Sequence, residues 1–312
     1  MVKILCLNPT VDRIYYIDDF HDGAQFHGTV PQVFAGGKGV NIARVLHYLG
    51  QPSTLYCFLG GMNGNFVSME LQDLSTELKT FPFTGETRTT INVIDNRNRK
   101  ETEITEAGVI IDAEAQEQFL TALKSELKRD DLVICSGLPM NGMSNDIYRQ
   151  VSDICAAKGS LCAIDANQRY FQSAFPGNYF FAKPNKNELA QLFGKTGDLT
   201  RKETIYLAKQ MLGWGVKNVL VSLGADGGIF INDEHVYAIT VPDKRVISTI
   251  GSGDATVAGF CFGYMHGLSI EDTLAFSMSC GISNAMHNQV GFVKTDEVAQ
   301  LRAQILLREI KG

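Results

Sequence analysis

An α/β fold in three layers, with a mostly parallel central sheet flanked by helices and a small β-sheet lid, is what this sequence predicts, on three observations. Short apolar runs alternate with helix-period segments along most of the chain, as in successive β-α-β units. Glycine-rich turns stand where strand-like runs give way to helices, at 35–39 and 251–253. Two polar stretches with period-two alternation, within 10–34 and 87–108, interrupt that rhythm. In order, the apolar runs predict strands at 2–7, 54–58, 132–136, 161–165, 179–182 and 216–223. The intervening periodicity predicts helices near 40–48, 113–128, 146–158, 202–212, 255–264, 270–286 and 296–309. The two interrupting stretches, polar on one face, are expected to form a lid over the carboxyl ends of the main strands, where α/β folds bind ligands. The whole chain, 1–312, then reads as one domain with the lid inserted.

Bulk composition narrows the function. With 312 residues, 45% hydrophobic and 20% charged, the chain can bury a large core. A formal net charge of -6 argues against a general nucleic-acid or anionic-membrane surface and leaves room for a local basic pocket. The seven cysteines form no C-x-x-C pair and sit mostly in apolar runs, which fits reduced thiols. The six histidines lack metal-ligand spacing. Residues 2–7 form a short strand rather than a secretory signal, and no apolar stretch reaches the length of a membrane span. The expectation is a cytoplasmic protein that acts on small molecules.

The run 250–259, Ile-Gly-Ser-Gly-Asp-Ala-Thr-Val-Ala-Gly, carries the chemistry. Gly251 and Gly253 allow a tight turn that exposes consecutive amides, Ser252 among them, at a helix start that favours negative charge. Asp254, in the first helical turn, is kept ionised by the helix dipole and can take a proton from an attacking hydroxyl. Together they suggest phosphoryl transfer. An ordinary glycine loop before a buried helix is the competing reading. Ala35-Gly36-Gly37-Lys38-Gly39-Val40-Asn41 likewise precedes a helix, and its Lys38 opposes the dipole unless an anion is near. Neither run is a dinucleotide fingerprint or a Walker loop.

Four further features are less specific. Asp12 can accept hydrogen bonds from two sugar hydroxyls, or be a loop acid. Arg88 offers a planar fork to a phosphate, or is a solvated strand residue. In Lys183-Pro184-Asn185-Lys186-Asn187-Glu188, Asn185 and Glu188 can orient water around a nucleotide's Mg²⁺, and equally make a capping box. Ser222 and Gly224 end another strand in a turn that can line a nucleotide pocket or be a plain β-turn.

In this order these pieces resemble the ribokinase, or PfkB-type, family of sugar kinases. The likeness runs from Asn8 to about Val293 and is greatest to the branch of 1-phosphofructokinase and tagatose-6-phosphate kinase. The opening Leu7-Asn8-Pro9-Thr10-Val11-Asp12, the run 35–41, Thr87-Arg88, the run 102–108, Lys183-Pro184-Asn185 and Gly251-Ser252-Gly253-Asp254 carry it. The resemblance implies a ribokinase-like domain, Mg-ATP as donor, Asp254 as base and the amides of 251–253 as anion hole. It further implies that Asp12, Gly37 and Asn41 hold sugar hydroxyls, that Lys38 and Arg88 meet an existing phosphate, and that Ser222, Gly224, Lys183 and Asn185 bind ATP, with Glu188 and Asn185 near Mg²⁺. Three departures stand out: Ser136-Gly137-Leu138-Pro139 is one residue short, Asp165-Ala166-Asn167-Gln168 replaces an Asp-x-Ser-Gly turn, and His27 aligns where the branch often has arginine.

The expected activity is ATP-dependent phosphorylation of a ketohexose monophosphate, tagatose 6-phosphate or fructose 1-phosphate, to the bisphosphate. A kinase of an unphosphorylated sugar or nucleoside, and a sugar-phosphate-binding regulator with little turnover, are the alternatives. A homodimer through the exposed lid edge is also expected.

Overall fold

Residues 1–166 and 168–310 are described by the computed structural model, and alternation of their apolar side chains organises two sheets. The chain runs through β1 (Val2–Leu5), β2 (Thr10–Tyr16), β3 (Gln32–Gly36), α1 (Lys38–Tyr48), β4 (Ser53–Leu59), α2 (Gly61–Glu70), β5 (Thr76–Pro82), β6 (Thr89–Asp95) and β7 (Lys100–Thr105). It continues through α3 (Ala113–Glu126), β8 (Leu132–Gly137), α4 (Ile147–Lys158), β9 (Leu161–Ala166), α5 (Gln168–Ser173), β10 (Tyr179–Ala182), α6 (Lys186–Leu192), α7 (Arg201–Gly213) and β11 (Val216–Ser222). After a 3-10 turn at Gly224–Asp226 come β12 (Gly228–Ile231), β13 (Val236–Thr240), α8 (Ser252–Met265), α9 (Ile270–Ala285), α10 (Thr295–Arg302) and β14 (Leu306–Glu309).

The main sheet has ten strands in the order β14-β13-β12-β11-β10-β9-β8-β1-β4-β5. From β11 to β5 the pairs are parallel, and β12 to β14 add antiparallel strands at one edge. Each parallel strand sends alternate side chains to opposite faces. Leu5, Tyr56, Val133 and Ile164 enter a core with α3, α4 and α7. Their neighbours Ile4, Leu55, Ile134 and Ala163 enter a second core with α1, α8 and α9. Two cores on one sheet make three layers. The chain leaves β1 toward β4 on one side and returns to β8 on the other, so strand order reverses there. A crevice outside the carboxyl ends is expected at such a point.

The second sheet has four strands in the order β3-β2-β6-β7, built from the two stretches that broke the α/β rhythm. Its β2–β6 pair is parallel and its other pairs are antiparallel. Outer strand β7 is exposed along its length.

Several elements depart from expectation, among them α5, β12 and β13, for which no helix or strand was predicted. The C-terminal helix stops at Arg302, and Leu306–Glu309 pairs with β13 instead of extending to 309. Leu306 and Leu307 satisfy either periodicity, and the free edge of β13 decides between them. Helix α2 and strand β5 were not predicted. Gly61, Asn63, Gly64 and Ser68 weaken the helical signal of α2, and only Gly64 and Val67 of that helix are buried.

Candidate active site

Helix α8 is apolar on all sides because α1 and the sheet cover one flank and α9 the other. Its contact with α9 depends on missing side chains: a Cβ on Gly259 would lie 2.9 Å from Ser277 Cα, and one on Gly281 would lie 2.4 Å from Thr256 Oγ1. This packing fixes the start of α8 beneath the carboxyl edge. Gly251 is the N-cap, with φ 79, a left-handed conformation suited to glycine. Ser252, Gly253 and Asp254 form the first turn. The Ser252 amide, expected to face an anion, instead donates to the Thr249 carbonyl at 3.2 Å, while the amides of Gly251, Gly253 and Asp254 have no backbone partner among the described residues.

Asn284, on α9 and 1% exposed, staples that turn. Its Nδ2 donates to the Ile250 carbonyl at 2.8 Å and to Ser252 Oγ at 3.3 Å, while its Oδ1 accepts from the Gly291 amide at 2.9 Å. Sequence reasoning passed over Asn284 as one polar residue in an apolar helix. The signal was the residue type itself, since a buried amide needs partners.

The Asp254 carboxylate is buried and its Oδ2 accepts from Asn41 Nδ2 at 2.8 Å. Burial pushes its pKa up, and Lys38 pulls it back down. The dipole argument alone therefore overstated how firmly this carboxyl is ionised. Asn41 reaches it from α1, which begins at Lys38, two residues earlier than predicted. Gly37 caps that helix with φ 111, and a Cβ there would lie 2.8 Å from Cys6 Sγ.

Lys38 points across the strand ends, its Nζ 3.2 Å from Asp165 Oδ1 and 3.8 Å from Glu188 Oε1. Lys183 Nζ lies 3.8 Å from the same Asp165 oxygen. It also lies 3.2 Å from the position a Gly253 Cβ would take, so an ammonium adjoins the glycine turn. Burial opposes the charge of Lys38, but Asp165, Asp254 and Glu188 together hold its pKa above the usual lysine range. Burial also opposes the charge of Asp165, yet Lys183 and Lys38 keep its pKa below the usual carboxylate range. The unfavourable lysine at the start of α1 thus has a partner within the chain. Asp165 is the hub of this network, although the sequence marked its turn only as a departure. Asn167 of that turn lies outside the described residues.

Asn185 and Glu188 do form a capping box: Glu188 N–H donates to Asn185 Oδ1 at 2.8 Å, and Asn185 N–H donates to Glu188 Oε2 at 2.7 Å. The other carboxylate oxygen of Glu188 is the one turned toward Lys38. Ser222 ends β11 beside this segment, its N–H donating to the Pro184 carbonyl at 3.1 Å. Gly224, at φ 62, opens onto free space. Lys183, Asn185, Ser222 and Gly224 therefore follow one another along the carboxyl edge.

The residues expected to hold a sugar lie on or beside the second sheet. Asp12 on β2 lies under Gly36, where a Cβ would sit 2.1 Å from its Oδ2. Burial pushes the Asp12 pKa up to about 6 despite the nearby Arg88 and Arg44. Arg88, just before β6, donates from Nη2 to the Asn8 carbonyl at 3.3 Å. Of the seven buried side-chain atoms without a partner among the described residues, Asp12 Oδ1 and Arg88 Nε lie on or beside the second sheet, and Ser136 Oγ and Asp165 Oδ2 lie near the carboxyl ends of β8 and β9. Buried polar atoms are normally paired, so these suit a polar ligand. His27 is exposed, outside any strand.

Comparisons with known proteins bear on this arrangement. The profile of the pfkB family of carbohydrate kinases matches residues 2–291. The chain is 30% identical to the tagatose-6-phosphate kinase of Staphylococcus epidermidis, over 99% of this chain and 100% of that one. It is 31% identical to the 1-phosphofructokinase of Borreliella burgdorferi, over 99% of each. The crystal structure of Escherichia coli phosphofructokinase-2 in complex with substrates and products has the same fold, with a TM-score of 0.89 at 21% identity, covering 97% of this chain and 98% of that one. A carboxylate and a glycine turn at one helix start, beside the buried network of Lys38, Lys183 and Asp165, thus occur in a chain that belongs to the pfkB family of carbohydrate kinases.

Proposed function

We propose that the protein transfers the terminal phosphoryl group of Mg-ATP to a primary hydroxyl of a ketohexose monophosphate, tagatose 6-phosphate or fructose 1-phosphate, giving the bisphosphate. Asp254 takes the proton of the attacking hydroxyl. The amides of Gly251 and Gly253 and the ammonium of Lys183 face the charge that develops on the transferring group, with Ser252 holding the turn through its bond to the Thr249 carbonyl. Asp12 and Asn41 hold sugar hydroxyls beside Gly37, and Arg88 receives the phosphate already on the sugar. Lys183, Asn185, Ser222 and Gly224 lie along the ATP side.

The residues fit a magnesium ion that arrives with the nucleotide. Among the described residues no three of the types His, Cys, Asp and Glu cluster as a metal cage. Glu188 Oε1 stands outside the capping box, so this carboxylate oxygen is available to such an ion through water. Bound there, the ion would supply charge neutralisation on the phosphates.

The observation that carries the reading is the joint placement of Asp254 with Asn41 and the glycine turn opposite the unpaired atoms of Asp12 and Arg88. One observation favours a second reading, a kinase of an unphosphorylated sugar: Asp165 and Glu188 already answer the charge of Lys38, which leaves Arg88 as the main phosphate ligand. A homodimer through the exposed strand β7, with Ile104 57% exposed, fits the same picture. The cytoplasm suits seven free cysteines in a chain with no described helix long and apolar enough to cross a membrane.

The test is ADP release from Mg-ATP by the wild type and an Asp254→Asn variant, against tagatose 6-phosphate, fructose 1-phosphate, fructose 6-phosphate, fructose, ribose and adenosine. Turnover on one phosphorylated ketohexose, falling at least ~10²-fold in the variant with substrate binding kept, is expected. Turnover only on an unphosphorylated compound selects the second reading. Undiminished turnover in the variant removes Asp254 as the base. Ligand-induced thermal stabilisation without ADP marks a binding protein.

A further inference from the structure

Arg44 on α1 is 8% exposed, and a buried guanidinium is costly unless something uses its charge. Its one side-chain hydrogen bond among the described residues runs from Nη1 to Asn41 Oδ1, at 3.5 Å. Its carbon also lies 5.7 Å from the centre of the Phe34 ring. The carboxylates of Glu70 on α2 and Asp12 on β2 face it only at longer range. Its remaining donors open onto a cleft of about 410 Å³, lined also by Phe34, Tyr48, Glu70 and Val290.

Asn41 lies between opposite charges. Its Nδ2 donates to Asp254 Oδ2 at 2.8 Å, and its Oδ1 faces Arg44. An amide between a carboxylate and a guanidinium has one favourable orientation: nitrogen to the anion, oxygen to the cation. Asn41 is buried and one turn from Arg44 on the same helix, so both neighbours act on one fixed side chain.

We propose that Arg44 is a positioning residue for phosphoryl transfer, orienting the Asn41 amide so that it donates to Asp254. Without the guanidinium the amide can turn over and offer oxygen to the carboxyl, which favours the protonated acid and removes the base from its working form. The inference rests on Asp254 being the base. The other groups facing Asp254 are Lys38 on α1, Asp165 on β9, Lys183 after β10 and Cys6 after β1, none of which the substitution touches. Glu70, Asp12 and Tyr48 face Arg44 itself.

The experiment is the pH profile of kcat for Arg44→Gln and Arg44→Lys, with the sugar phosphate that the wild type turns over. In Arg44→Gln, which keeps a stem of similar shape beside a cleft that admits water, the acidic limb is expected to move up by about 0.5–1 pH unit. At pH 7 kcat should fall several-fold, with KM for the sugar phosphate, whose hydroxyl Asn41 also meets, changing by less than kcat does. Arg44→Lys keeps a cation near Asn41 and should restore most of the profile. A folded Gln variant whose limb stays in place, with activity lost only in proportion to thermal stability, overturns the proposal. If the Gln variant does not fold, Arg44→Lys decides alone: a limb within about 0.3 pH unit of wild type and kcat within about twofold support the positioning role, while a folded Lys variant with much lower kcat at every pH and an unmoved limb overturns it. Failure of Asp254 as the base would show separately, as turnover retained by Asp254→Asn.

Discussion

The two ends of the proposed active site, one for phosphoryl transfer and one for the sugar, are built differently. At the phosphoryl end, the turn 250–254 is held by Asn284, by glycine contacts between α8 and α9, and by Asn41, and most of its polar groups are paired. At the sugar end, on the second sheet, Asp12 and Arg88 keep buried atoms without partners, and the guanidinium makes one long bond to the Asn8 carbonyl. Preorganisation is most useful where charge develops in the transition state, since donors fixed in advance need no rearrangement. Unpaired groups are useful where a substrate is to be told from its analogues, because a ligand that fails to satisfy them leaves them unpaired.

The largest effect is expected from loosening the rigid end. Asn284→Ala leaves the Ile250 carbonyl and the Gly291 amide without their buried partner, at a cost of roughly 2–3 kcal/mol in stability. It also frees the glycine turn to move, so kcat should fall about 10- to 100-fold while KM for the sugar phosphate changes little. Denaturant unfolding and steady-state kinetics measure both. Unchanged kcat in a destabilised variant would make Asn284 a purely structural staple. Breaking the adaptable end should give the opposite pattern. Arg88→Ala is expected to raise KM for a phosphorylated sugar about tenfold or more with kcat altered less, and to leave thermal stability nearly intact. An unchanged KM would strip Arg88 of its phosphate and favour the unphosphorylated-sugar reading.

Much of this difference was invisible in the sequence. The parallel strands and their helices could be read because buried strands such as Leu132–Gly137 begin as continuous apolar runs and end in glycine or polar residues. The glycine turn with Asp254 could be read because local spacing encodes a helix start. Charge partners could not be read this way. Lys38 looked anomalous at the start of α1, and the anomaly was real, but the anions that resolve it lie 127 and 150 residues further on, at Asp165 and Glu188. Asp165 opens a turn that departs from the family pattern, and it is the hub of the network. The capping box of Asn185 and Glu188 leaves one carboxylate oxygen of Glu188 for the crevice, so the two readings of that motif are compatible. Strand β14 was taken for helix because its register is set by β13, a tertiary partner no local window contains.

The subtlest contrast between the two ends concerns pH. Burial raises the Asp12 pKa from 3.8 to about 6. The folded protein therefore holds the Asp12 proton more tightly than the unfolded chain does. That contribution to stability is fully present below pH 4 and is lost as pH rises through 6, so above pH 7 an ionised Asp12 strains the native state. The implied penalty is on the order of 2–3 kcal/mol. Asp12→Asn cannot ionise, and its stability relative to the wild type should rise between pH 4 and pH 8 by a few degrees in Tm. A difference that does not vary with pH would show that Asp12 is solvated in the free protein. The same variant should bind the sugar phosphate less well, because Asn replaces one acceptor with a donor where two hydroxyls need acceptors. Stability gained at pH 8 together with affinity lost would mean that the sugar end holds a carboxylate for its ligand at the expense of its own fold, as expected of groups kept for recognition.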